Sequence, residues 1–383
     1  MKKSNFLFLA IIAVAIFSCT ESSDKPDVLV KNLNNSEVDY NYSGLNLPIG
    51  LGIAGAFNNF EFDPENGSII INEPLQITDN GAALGRVLFY DENLSLNNTI
   101  SCGSCHHQEL AFTDGLQFSP GFEGNVTHRN TMAFANPISQ NNLFWDSRSF
   151  SIVDLSLKPV QNHIEMGMEN LDYLTEKLNR IEYYPNLFQE AFGDKEITEE
   201  RISKAMAQFV GSITTSRAKV DNGNLSSVEE IGRDIFFSNR AMCSQCHGGG
   251  NFAAQDGPDD PYGGGGELGG GEDLKGTTNI GLDLVYQDEG KGSGSFKIPS
   301  LRNIEVTGPY MHDGRFNTLE EVIDHYSTGI KPHADLDFKL IDTDGSPIRM
   351  NFSGAEKTAL IAFLNTMTDA EMLTDPKYSN PFK

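Results

Sequence analysis

Positive charge is scarce in this chain. Lys and Arg number 28 against 53 Asp and Glu in 383 residues, a formal net charge of −25. That balance argues against a nucleic-acid partner and weakly favours a basic one, although solubility alone would also explain it. Long apolar runs are absent too. The one near the start, Phe6 to Phe17, follows Lys2 and Lys3 and is too short to span a bilayer comfortably. Strand patterns are few, the best being Ser68 to Ile71. Tryptophan occurs once, at Trp145, and cysteine only five times.

Four of those five cysteines fall in one pattern used twice, Cys102-Gly-Ser-Cys105-His106 and Cys243-Ser-Gln-Cys246-His247. In Cys-x-x-Cys-His two thiols add across the vinyl groups of a haem, and the following His is placed to bind the iron. Zinc is a poorer reading, because neither cluster has a second Cys or His pair close by. A redox dithiol does not explain the His after both pairs. The expectation is two covalently attached haem c groups. The fifth cysteine, Cys19, ends Ile16-Phe17-Ser18-Cys19, which resembles the lipobox of bacterial lipoproteins. Residues 1–19 then read as a signal segment, Cys19 as the lipid-modified residue and the stretch from Thr20 as a tether. Ordinary signal cleavage with Cys19 incidental is the rival, and both readings send the chain out of the cytoplasm.

A degenerate repeat precedes the two motifs: Leu84-Gly85-Arg86-Val87-Leu88-Phe89 matches Ile231-Gly232-Arg233-Asp234-Ile235-Phe236. It suggests tandem c-type cytochrome modules, 76–218 and 219–383, behind an extension over 20–75, in a mainly α class with extensive loops and the haems near the module interface. Thr198 to Ile213 sets Ile202, Ala205, Met206, Phe209 and Ile213 on one helical face. Capping-box spacing occurs at Ser227 with Glu230, Thr318 with Glu321 and Ser353 with Glu356. Gly248 to Gly276, with its glycine runs, reads as a solvated loop.

Beyond the Cys pairs the chain resembles the bacterial di-haem cytochrome c peroxidases, including their MauG branch. The resemblance covers about Leu84 to Asp369 and rests on LGRVLFYDENLS from Leu84, SCGSCH from Ser101, FTDG from Phe112, HRNT from His128 and FWDSR from Phe144. It continues through KPVQNHIEM from Lys158, CSQCHGG from Cys243, FKIPSLRN from Phe296 and TGPYMHDGRFNTLEEVIDHY from Thr307. It implies that His106 serves a peroxidatic haem and His247 an electron-transfer haem. Glu165 matches the distal acid that moves a proton between the peroxide oxygens, and Pro159 the proline that keeps the iron face clear; a surface loop Glu is the plainer reading of Glu165. Leu155 stands where the family has a distal Gln, and Phe122 where many members have a distal His, so reductive activation is not expected. His128 could still swing in. Tyr326, fourteen residues after His312, matches the second haem's distal ligand in MauG-type proteins. A core tyrosine is the alternative, and His325 and Met311 compete for that position. Trp145 matches the residue between the haems. Asn130, Thr307 and Pro309 match a calcium site of the kind oxygen ligands form, and Arg302 is expected on a haem propionate. The implied partners are hydrogen peroxide and a small electron-donor protein such as a cytochrome c. A MauG-type oxidant that modifies a partner protein and a plain electron carrier are the rival functions.

Overall fold

The computed structural model describes residues 28–29, 31–33, 40–48, 60–62, 69–71, 75–140, 142–149, 151–253 and 276–382. Cys19, the expected signal segment and the glycine runs after Gly248 lie outside them. The helices are α1 (Asp79–Tyr90), α2 (Ile152–Ser156), α3 (Lys158–Gln161), α4 (Leu171–Asn179), α5 (Tyr184–Phe192), α6 (Glu199–Ser212), α7 (Lys219–Asn222), α8 (Ser227–Phe236), α9 (Leu319–Asp324) and α10 (Gly354–Asn365). Two antiparallel ribbons accompany them, β1 (Phe60–Phe62) with β2 (Ile69–Ile71) and β3 (Thr277–Thr278) with β4 (Phe296–Lys297). The strand expected at Ser68 to Ile71 is β2. Among the described residues no helix is long and apolar enough to cross a membrane.

The sequence repeat is a repeat of packing. A Cβ added at Gly85 of α1 would stand 1.9 Å from the Ala205 carbonyl oxygen of α6. One added at Gly232 of α8 would stand 1.9 Å from the Ala359 carbonyl oxygen of α10. Each glycine lets two helix backbones cross at close range, and Phe209 and Phe363 occupy equivalent places beside them. Each crossed pair carries its own core. Leu84, Val87, Leu88, Ala205 and Met206 belong to the first, and Phe236, Leu360, Phe363 and Leu364 to the second.

Three of the four legible helix starts stand where expected: Thr198, Thr318 and Ser353 each accept a backbone N–H of their first turn. The fourth is one residue early. Ser226, not Ser227, precedes α8, and Glu229 accepts the Ser226 N–H at 2.6 Å. Adjacent serines, each followed three residues on by a glutamate, make the two registers equivalent in sequence, and the burial of Gly232 and Phe236 selects one.

The C-terminal segment leaves α10 and packs against the α1–α6 pair. Tyr378 is buried in the aromatic core beside that pair and donates to the Ser212 carbonyl at 2.8 Å. Tyr90 donates to the Tyr378 carbonyl at 2.7 Å, and Arg86 Nε to that of Ser379 at 2.6 Å. The crossing begins at buried Asp369, whose Oδ2 accepts both the Ser216 and Arg217 N–H at 2.9 Å.

Candidate active site

The two Cys-x-x-Cys-His segments fold alike. Cys102–Ser104 and Cys243–Gln245 are single 3-10 turns, and the His106 and His247 N–H groups return to the Cys102 and Cys243 carbonyls at 2.9 and 2.8 Å. The four thiols are unpaired. Burial, the largest cause in each, pushes Cys102 and Cys243 up to about 12 and Cys105 and Cys246 up to about 11. Burial therefore favours the neutral thiol in each. Among the described residues no three His, Cys, Asp or Glu side chains gather to hold a metal ion.

Both imidazoles are fixed in orientation by backbone carbonyls. His106 Nδ1 meets the Phe112 carbonyl at 2.5 Å, and His247 Nδ1 meets those of Phe252 and Pro299 at 3.2 and 3.1 Å. A carbonyl only accepts, so Nδ1 carries the proton in each ring. Nε2 then has no protein partner among the described residues. Burial pushes both rings down to about 4, so both are neutral at pH 7. A backbone acceptor behind a histidine ligand sets its tautomer and raises its basicity. Phe134 stacks on His106, with centroids 4.5 Å apart.

His106 and His247 line one cavity of about 1120 Å³, larger than the roughly 300–1,000 Å³ of ordinary ligand clefts. Trp145 lines it as well. Its indole N–H is held by the Asn130 carbonyl at 2.8 Å, and its own carbonyl accepts the Lys297 N–H at 2.7 Å. Glu165, Pro159 and Leu155 line the same cavity. Glu165 leaves α3 through a turn in which Asn162 Oδ1 accepts the Ile164 N–H at 2.8 Å, while its carbonyl receives the Phe122 N–H at 3.0 Å. Burial pushes the Glu165 carboxyl up to about 7, with nearby Arg148 opposing the rise. Its charge is also felt at Cys102 and Cys105, which puts it near the first motif.

Tyr326 stands near the second motif in the same way, for Cys246 and Cys243 both raise its phenol above the already dominant effect of burial. It lies in a π-helical turn, His325–Gly329, that ends α9; such turns recur at functional sites. Its hydroxyl has no hydrogen-bond partner among the described residues. His325, a competitor for that position, gives Nε2 to the Ile280 carbonyl at 2.9 Å and does not line the cavity; Met311 does line it. Asn130, Thr307 and Pro309 all face the cavity as well.

Two expectations change. Arg302 is not a cavity residue. It is 1% exposed, forks onto Asp221 at 2.7 and 3.0 Å, and gives Nε and Nη2 to the Gly250 carbonyl. A buried guanidinium without that carboxylate would be costly. Phe122 likewise does not line the cavity; its ring packs on Gly167, where a Cβ would stand 2.4 Å from it. Phe118 and His128 line that region instead, His128 from an exposed position. Among the cavity cations that sequence reasoning passed over are Arg148 near Glu165 and Lys297, whose backbone is bound to Trp145. Their placement within FWDSR and FKIPSLRN was the only signal.

Two neutral buried imidazoles, each behind a pair of free thiols and both opening on one large cavity, define a di-haem c-type cytochrome. A sequence profile described as di-haem cytochrome c peroxidase matches residues 79–228. The methylamine utilization protein MauG of Methylorubrum extorquens is 31% identical over 297 residues, 76% of this chain and 79% of that one. The cytochrome c551 peroxidase of Nitrosomonas europaea is 29% identical over 79% of this chain and 86% of its own. Among solved structures, a MauG-like protein associated with microbial copper homeostasis superposes with a TM-score of 0.69 at 31% identity, over 80% of this chain and 94% of that one. The di-haem peroxidase of Burkholderia thailandensis shares the fold, with a TM-score of 0.62 at 19% identity over 81% and 94%. The chain belongs to the di-haem cytochrome c peroxidase family.

Proposed function

We propose that the chain is a peroxidase that reduces hydrogen peroxide to water with electrons from a small donor such as a mono-haem cytochrome c, without prior reductive activation. The observation that carries this reading is Glu165, a carboxyl in a haem-sized cavity with its pKa raised to about 7. When bound, the first haem supplies an iron face where peroxide can be reduced, and the second a closed centre that takes in electrons. Glu165 accepts the proton of the near peroxide oxygen and delivers it to the far one, which then leaves as water. Pro159 and Leu155 keep that face apolar, and Trp145 stands between the two sites as a π-system. Arg148 sets a positive charge near Glu165 that favours its ionised form.

In this reading residues 76–218 hold the peroxidatic haem and 219–383 the electron-transfer haem, with the last residues packed back onto the first module. Tyr326 would supply a ligand to the iron of the second haem, and Asn130, Thr307 and Pro309 would hold a calcium ion. The chain is exported and anchored through Cys19, and pairing into a homodimer is compatible with it. The phenol of Tyr326, without a hydrogen-bond partner among the described residues, also favours the MauG-type alternative, in which peroxide equivalents modify a partner protein. The deciding experiment mixes fully oxidised holoprotein with peroxide and reduced mono-haem cytochrome c. Turnover supports the peroxidase. Absence of turnover together with a long-lived peroxide-dependent spectrum transfers the assignment to the alternative.

A further inference from the structure

Lys297 is an anomaly of charge. It ends β4, is 5% exposed, and lines the cavity. Its ammonium has one partner among the described residues, Gln140 Oε1 at 2.5 Å. The Gln140 amide is oriented for this, because its Nε2 donates to the Ala135 carbonyl at 3.0 Å. No carboxylate of the described residues pairs with Lys297. Of the acids that line the same cavity, Asp288 pairs with Arg129, and Asp283 and Asp313 with Arg315, while neither Glu165 nor Glu289 is bonded to Lys297. Asp337 accepts the Thr278 hydroxyl and the Lys339 N–H. An ammonium closed in this way is costly unless an anion meets it.

The position says what that anion is. Ala135 follows Phe134, which stacks on His106, and its carbonyl also receives Asn251 Nδ2 at 3.1 Å. Two residues beyond Lys297, the Pro299 carbonyl holds His247, while the Lys297 N–H is bound to the Trp145 carbonyl. The cation therefore sits at the seam of the two haem sites. Each haem carries carboxylates on its propionates, and Arg302, the sequence's candidate for them, is consumed by Asp221.

We propose that Lys297, oriented by Gln140, pairs with a haem propionate at the seam between the two sites and thereby raises the reduction potential of the haem that carries it. This rests on the two-haem reading. Lys297 is a positioning residue and takes no part in proton transfer. Losing its charge would leave the propionate uncompensated, which favours the oxidised, more positive iron and lowers the potential.

The test is a spectroelectrochemical titration of both haems in wild-type, Lys297→Met and Lys297→Arg holoproteins, with covalent haem counted per chain. The expected result for Lys297→Met is a downward shift at one haem equal to about a tenfold change in the reduced-to-oxidised ratio, ~59 mV for a one-electron couple. Lys297→Arg should stay close to wild type. The haem that shifts is the one whose propionate is bound. Two haems per chain with both potentials unmoved in Lys297→Met overturn the proposal. Fewer than two haems in the wild-type chain overturn the reading beneath it. If Lys297→Met does not load haem, Lys297→Gln supplies the same neutral comparison.

Discussion

Replacing Glu165 by Gln separates catalysis from stability in a way that only a buried, functioning carboxyl allows. Raising a carboxyl from its usual 4.5 to about 7 corresponds, at about 1.36 kcal/mol per pH unit, to about 3 kcal/mol. The sign follows from proton counting. Below pH 4.5 the group is protonated whether the chain is folded or not, and it costs nothing. Between 4.5 and 7 the unfolded chain releases the proton while the folded one keeps it, so wild-type stability falls as pH rises. Above 7 the folded protein carries a desolvated charge and the full cost. Glu165→Gln should therefore match wild type near pH 4 and exceed it by up to about 3 kcal/mol at pH 8, read from urea unfolding of the holoprotein. Turnover should fall by about 10²- to 10⁴-fold, the usual contribution of a placed acid–base group. In wild type, kcat/KM for peroxide should rise with pH through about 7, because the ionised carboxyl must accept the first proton. That inflection should vanish in the variant. Turnover within threefold of wild type, or an inflection that survives the substitution, would refute the acid–base role. A stability difference that does not vary with pH would refute the buried carboxyl.

Tyr326→Phe loses no hydrogen bond among the described residues, so stability should hardly change while the oxidised spectrum of the second haem changes; an unaltered spectrum would make Tyr326 a plain core residue. Arg302→Ala strands Asp221 and should cost about 3–5 kcal/mol in urea unfolding, with both haem potentials unmoved; a shifted potential would return Arg302 to a propionate role. Gly85→Ala and Gly232→Ala each drive a methyl into a facing helix carbonyl and should lose about 1–3 kcal/mol, minus the small gain in helix propensity. Equal or greater stability in either would show that the crossed helices need no close approach there.

The chemistry of the site was legible because it is local. Cys-x-x-Cys-His places two thiols and an imidazole in and just after one 3-10 turn, so spacing alone pointed to the cofactor. The same holds for the caps at Thr198, Thr318 and Ser353, where a side chain bonds a backbone N–H three residues on. The repeat around Gly85 and Gly232 revealed that two similar units exist. It did not say that each glycine is the crossing point of a helix pair, because the facing carbonyls lie more than a hundred residues away.

Charge pairing was the part that sequence could not decide. Arg302 and Lys297 sit five residues apart in one motif, and by type the arginine is the better carboxylate binder. Tertiary structure brought Asp221 to the arginine across 81 residues and left the lysine facing the cavity with an amide. The return of Tyr378 to the first core and the turning of His325 toward Ile280 were decided likewise. Sequence by itself determined the covalent chemistry, the twofold repeat and most helix starts, since these depend on neighbours within one or two turns. Only the folded chain determined which buried charge is spoken for and which has no carboxylate partner among the described residues, because that depends on surfaces brought together from distant parts of the chain.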